Sequence, residues 1–425
     1  MSETLTAAAA GLVQVLAWPA LAWLTAGVVV GYVVGLLPGI GGPVAMALML
    51  PVAFSADTVS AFALLMGVAA AAVTAGEVTS ILIGVPGESS AAALLLDGHR
   101  MAARGEGGRA AGAAAAASLV GGLTGALVLA IVLPVARPLF SIIGSPELLM
   151  LALIGLGLVA ALSGDAPLKG SVSALAGLAL ATVGLDPSEG VPRFTFGQLF
   201  LWDGVGLLPA AMGLFAIPEA IALLGAPARG IARAKIRGVA TGVRDVMRHR
   251  GLVLRTSLLG IGVGILPGVG ATVSQWLAYA QAAQGSSRRA RFGTGEVEGV
   301  IGPAAASNAT LGGDMVPTLA LGIPGSVPTT IVLGAIALKG VTPGPGLLLP
   351  ESAGGQLPLV FAFVWMIVLG NVAATTMSLL CLDRLSAVAR VPGVALFPVV
   401  MSAIPLGAFA ERHAAGDVVL VAALG

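Results

Sequence analysis

Four Pro-Gly pairs fall inside apolar stretches of the chain: Pro38-Gly39, Pro86-Gly87, Pro267-Gly268 and Pro324-Gly325. Proline removes a backbone donor and glycine weakens a helix, so each pair leaves N–H and C=O groups without helical partners. In hydrocarbon those groups must find a partner or line a wet cavity. A helix broken there exposes an N-terminal end that favours anions and a carbonyl end that favours cations. Hydroxyls that can donate to a carboxylate follow the second pair of each half: Ser89 and Ser90, then Ser326, Thr329 and Thr330. Ser307 and Asn308 precede the last pair, and Gly41 and Gly270 follow the first pair of each half. Glu77 and Asp314 each follow a glycine about ten residues before a second pair. Carboxylates inside a membrane are costly and point to function, here the binding of a coupling cation. The alternatives are a simple kink at each Pro-Gly pair and a capping role for each carboxylate. Glu88 fits either a cation site or a cap.

Other chemistries lack their residues. There is no G-x-x-x-x-G-K-[ST] run, and Gly262–Pro267 ends in proline where a dinucleotide loop needs glycine. LGGD before Met315 lacks the spacing of an intramembrane aspartyl site, and Gly87-Glu88-Ser89 has no following elbow glycine. The one cysteine, Cys381, and the scattered His99, His249 and His413 offer no metal-ligand spacing. No enzyme, metal or organic cofactor is expected, only a coupling ion, Na+ or H+.

The elements that position these residues must be membrane helices. Of 425 residues, 57% are apolar and 10% charged, with a mean hydropathy of +1.01. A soluble particle of this size needs a far more polar surface, while a disordered chain would be less apolar. The apolar runs are long rather than alternating, which excludes a β-barrel. Their number and length predict an all-α polytopic integral membrane protein of about eleven or twelve segments at ~20 residues each. MSETLTAAAA has no basic n-region, so the first apolar run is read as retained. The last run, from residue 416, stops at Gly425 while still apolar, and the expectation is a truncated C-terminus.

Fourteen of the 21 Lys and Arg residues lie in 97–109, 225–255 and 288–291, which assigns those segments to the cytoplasm. That topological role accounts for the basic segment without a nucleic-acid partner. The loop 186–197, with Asp186, Glu189 and Arg193, then falls outside.

The two halves repeat. GYVVGLLPGIGG from Gly31 matches GIGVGILPGVGA from Gly260, an offset of 229 residues. GEVTSILIGVPGESS from Gly76 matches GDMVPTLALGIPGSVP from Gly313, with Gly84, Pro86 and Gly87 set against Gly322, Pro324 and Gly325 at an offset of 238. Basic loops follow opposite members of the matched pairs, so the repeats (about 31–110 and 260–346) are read as inverted, with a parallel arrangement as the alternative. The expected organisation is a transmembrane half at 1–224, a basic linker at 225–251 and a second half at 252–425.

GLLPGIGG and GILPGVGAT, LLLDGHRMAARGEGGRA, FGTGEVEGV and GGDMVPTLALGIPGS with GVTPGPG together resemble the large membrane subunit of tripartite tricarboxylate transporters, the TctA family. The resemblance runs from Gly31 to the end of the chain. It implies a secondary transporter of the bacterial inner membrane that imports carboxylates on an ion gradient. Its implied partners are a small four-helix membrane subunit and a periplasmic solute-binding protein. A stand-alone carrier or exporter is the alternative. One departure is Ala304, where the family pattern after Gly302-Pro303 has Glu; Asp314 is the suggested compensation. Substrate is expected between the Pro-Gly breaks of both halves, and Glu77 and Asp314 are the expected coupling residues.

Overall fold

The computed structural model describes residues 2–37, 41–140, 167–186, 190–206, 237–388 and 414–425, with separate residues between 144 and 166, 209 and 221, and 397 and 409. Pro38, Gly39 and the linker segment 225–236 lie outside the described residues. Helix dominates. Among the described residues the exception is a hairpin of two-residue strands, in which β1 (Gly184–Leu185) pairs antiparallel with β2 (Pro192–Arg193).

The first half opens with α1 (Ser2–Leu16) and α2 (Ala20–Gly35), bent 70° from one another. After the first break come α3 (Gly41–Ser55) and α4 (Thr58–Ile83). Short irregular turns at Ser89–Ala91, Leu95–His99 and Ala102–Glu106 lead into the long α5 (Gly107–Phe140). An exposed helix, α6 (Pro167–Ala181), follows. The second half contains α7 (Val239–Arg248), α8 (Arg250–Ile265), α9 (Gly270–Gly285), α10 (Glu298–Leu321), α11 (Val327–Leu338), α12 (Leu357–Val388) and α13 (Ala415–Leu424).

Among the described residues, three helices are individually long and apolar enough to cross a membrane: Thr58–Ile83, Ala102–Val135 and Leu357–Leu380. The bent pair α1–α2 makes a fourth if it counts as one span. Pro-Gly breaks divide other apolar sequence into shorter helices such as α3 and α11. The fold is therefore that of an all-α polytopic membrane protein whose apolar runs are partly broken.

α4 and α10 form the centre, and nearly every residue of each is buried. α2 packs on α4 in the first half as α8 packs on α10 in the second. Both contacts depend on glycine. A Cβ on Gly31 would meet the Val68 carbonyl and one on Gly260 the Ala306 carbonyl. Gly35 and Gly264 approach Ala72 and Thr310 in the same way. The partners are separated by the same 229- and 238-residue offsets seen in the sequence. Small residues let helix backbones come this close without a hydrophobic driving force.

Candidate binding cavity between the two halves

The second break of each half is set up locally by its helix end. α4 and α10 both stop at a left-handed glycine, Gly84 (φ 76°) and Gly322 (φ 69°), a helix terminus that glycine adopts without Cβ strain. The backbone then folds back on its own half. Gly87 is pressed against the Gly35 carbonyl and Gly76, and Gly325 against the Gly264 carbonyl and Asp314. Ser326 caps α11 in a reciprocal box with Thr329, whose hydroxyl accepts from the Ser326 amide at 2.9 Å.

Between these breaks lies a cavity of about 310 Å³, lined from the first half by Pro43, Glu88, Ser89 and Ser90 and from the second by Gly268, Gly270, Thr272, Asn308, Asp314 and Ser326, among others. The starts of α9 (Gly270) and α11 (Val327) both face it. The dipoles of both starts and the first amides of α9 favour an anion, while at α11 the capping box takes up the Ser326 and Thr329 amides and Pro328 has none, which leaves that of Val327.

Of the residues expected at the site, Ser89, Gly268, Gly270, Ser307, Asn308, Ser326 and Asp314 line the cavity. Gly41, Pro86, Gly87, Pro267, Pro324 and Gly325 do not; they shape the backbone around it. Pro38 and Gly39 lie outside the described residues. Glu77 is fully buried away from the wall, where Ser118 Oγ donates to its Oε2 (2.6 Å) and Asn308 Nδ2 to its Oε1 (3.1 Å). It thus holds Asn308 in place. Glu77 is also the carboxyl beside Ala304, because Ser118 reaches the Ala304 carbonyl at 3.4 Å. Asp314 is ten residues further along α10, roughly 15 Å away at 1.5 Å per residue, so it does not fill that position.

Two polar residues that the sequence did not single out, Thr272 and Gln275, join Ser89, Ser90 and Ser307 in stitching the halves together beside the cavity. Ser89 and Thr272 hydroxyls are 3.1 Å apart, and Ser307 Oγ donates to the Ser90 carbonyl at 2.9 Å. Gln275 accepts from the Ala93 amide at 2.8 Å and donates to the Ser89 carbonyl. Thr272 and Gln275 follow the first break of the second half directly, which was the available signal.

Many of the described charged residues gather at one end. Asp97 is fully buried and accepts from Tyr279 Oη (2.8 Å) and from the amides of Gly293 (3.0 Å), Gly295 (2.7 Å) and Glu296 (2.9 Å). Arg100 donates to the Gly293 carbonyl. Arg109 bonds Asp245 (2.6 Å) and Glu106 (2.7 Å), and Arg288 bonds Glu298 (3.0 Å). The described parts of the three basic segments therefore meet in one network. The equivalent loops of the other pairing also meet: Lys339 Nζ donates to the carbonyls of Phe54 (3.0 Å) and Ala56 (2.5 Å). Arg193 pairs with Asp186 in the small hairpin, while Glu189 lies outside the described residues.

Residues 21–425 match the profile of the tripartite tricarboxylate transporter TctA family. The chain belongs to that family. It is a multi-pass membrane protein of a tricarboxylate-type transporter that works with other subunits. An uncharacterised 52.8 kDa protein of Agrobacterium vitis, from the TAR-I region 3′ of ttuC′, is 31% identical over 407 residues, covering 95% of this chain and 80% of its own. A second uncharacterised protein of that organism, from the TAR-II region 3′ of ttuC′, is 28% identical over 163 residues, covering 38% of this chain and 65% of its own. No solved structure matches the chain.

Proposed function

We propose that the chain is the large subunit of an ion-gradient-driven carboxylate importer of the bacterial inner membrane. It works with a small four-helix membrane subunit and a periplasmic solute-binding protein. A tricarboxylate or dicarboxylate binds in the cavity between the Pro-Gly breaks. The carrying observation is that the cavity joins the starts of two broken helices, at Gly270 and Val327, to the polar side chains of Ser89, Ser326 and Asn308. Two helix N-termini, with the first amides of α9 and the hydroxyls of Ser89 and Ser326 beside them, suit a carboxylate without an arginine clamp.

The two halves are inverted in this reading. Its support is an exchange of contacts. Loop 97–109 of the first half meets 286–297 of the second, while loop 54–57 of the first meets Lys339 of the second. Under the two repeat offsets, the first loop of each half thus touches the second loop of the other. The 26 residues of α4 separate the two contact regions, a rise of roughly 39 Å. The basic end is cytoplasmic by the charge rule, and the solute-binding protein docks at the other end.

Proteoliposomes carrying the chain and its small partner test the reading. Labelled carboxylate with loaded binding protein outside is expected to enter when an inward Na+ or H+ gradient is imposed. Uptake that ignores both gradients would sink the ion-coupled reading. Uptake without the binding protein would favour a stand-alone carrier.

A further inference from the structure

The cavity wall carries a charge imbalance that the substrate reading leaves unexplained. It holds two carboxyls, Glu88 and Asp314, and no Lys, Arg or His among its described lining residues. Both are buried, at 9% and 3% exposure. Glu88 Oε2 and Asp314 Oδ1 have no partner at full hydrogen-bond geometry; the Gly42 amide and Ser90 hydroxyl stand at the Glu88 carboxyl, and the Ser326 hydroxyl at that of Asp314. Glu77, one layer behind, has both oxygens bonded.

The repeat explains why there are two. The 238-residue offset that relates Gly87 to Gly325, and Val68 and Ala72 to Ala306 and Thr310 along the helices, also relates Gly76 to Asp314 and Glu88 to Ser326, one residue out of register with the sequence match of Gly76 to Gly313. In the first half the helix position is glycine and the loop position carries the carboxyl; in the second, the helix carries it and the loop has a small hydroxyl. The two positions touch in both halves. A Cβ on Gly76 would lie 3.0 Å from Glu88 Cβ, and Ser326 stands beside the Asp314 carboxyl. Each loop residue also faces the positive-φ glycine that starts the neighbouring helix, Gly41 (φ 68°) for Glu88 and Gly270 (φ 62°) for Ser326. Each half therefore presents one carboxyl at its second break, from alternate members of one contacting pair.

We propose that the cavity contains two monovalent-cation sites, one in each half, built on Glu88 and on Asp314, and that both fill before an anionic substrate enters. A desolvated carboxylate with an open oxygen is neutralised by a proton or a metal cation rather than left bare. Hard cations take oxygen ligands of the kind these sites offer. One carboxyl per site matches a single positive charge, whereas divalent sites gather several. The filling order rests on the carboxylate-import reading: two bare carboxylates would repel a third, and neutralising them leaves the helix ends free to hold the substrate.

The test counts cations bound to the purified full chain in lipid nanodiscs, with no substrate and no partner subunit. Radioactive sodium binding at saturation is measured beside proton binding, the latter by potentiometric titration in sodium-free medium. Relative to the double variant, sodium at saturation, or protons taken up in its absence, should total two per chain in the wild type, one in Glu88→Gln and one in Asp314→Asn. The repeat adds a rescue. D314G/S326E gives the second half the first half's arrangement, and its count should return to two. Melting temperatures show whether each variant is folded, and should one single variant unfold, the other single variant and the rescue decide. An unchanged count in a folded single variant, or a rescue variant that stays at one, overturns the proposal. Carboxylate uptake does not enter this count, so failed import and a wrong cation count are separate results.

Discussion

Asp97 and the pair Glu88 and Asp314 are all buried carboxyls at contacts between the halves, yet their surroundings are opposite. Asp97 receives four donors, three of them backbone amides of the facing segment. Glu88 and Asp314 each keep an oxygen without a partner and face a cavity. A buried carboxyl with every acceptor filled fastens two segments together, because removing it strands their donors. One with an open oxygen stores fewer such bonds and keeps a lone pair available to a ligand. Burial alone does not separate a lock from a site; the partners do.

The comparison breaks most readily at Asp97. Asp97→Ala orphans three amides and the Tyr279 hydroxyl, and the expected loss is about 3–5 kcal/mol, read as a lower unfolding midpoint in detergent. A loss under about 1 kcal/mol would remove the lock. Tyr279→Phe takes away one of the four donors and should cost about 1.5–3 kcal/mol, the range for a bond to a charged acceptor. An exposed carboxyl gives the next scale. Asp57 caps α4 by accepting from the Ser60 amide at 3.1 Å, so Asp57→Ala should cost about 1 kcal/mol. Against the opposing effect of burial, the Ser60 contacts hold Asp57 below its ordinary value. Its contribution is therefore present at neutral pH and lost as acid protonates it, which a pH series of unfolding midpoints would show. Glu88→Gln and Asp314→Asn should have the smallest effect on stability, within about 0.5 kcal/mol or slightly stabilising, because each amide keeps an oxygen to accept from the neighbouring donors and removes a desolvated charge. Losses as large as that of Asp97→Ala would erase the distinction.

Glu77 sharpens the same lesson. Spacing from the second Pro-Gly pair set Glu77 and Asp314 side by side as candidates, since both follow a glycine. Folded, they sit on different layers: Asp314 on the wall, Glu77 behind it with Ser118 and Asn308 as partners. The residue that the repeat offset sets opposite Ser326 is Glu88, and that register places it where a carboxyl meets the cavity. Asn308 and Ser307, picked out beside the last break, do line it. The bonds of Ser89 to Thr272 and of Gln275 to Ala93 were not legible, because more than 180 residues separate each pair.

The chain's composition settled by itself that its solvent is largely lipid, since so few charges cannot cover a soluble surface. The order of its glycines and prolines also disclosed the repeat, because a backbone break needs those two residues wherever the fold requires one. Which buried carboxyls are bonded and which stay open was decided only in three dimensions. Hydrogen-bond partners come from distant segments brought together by packing, and nothing along the chain records which segments will meet.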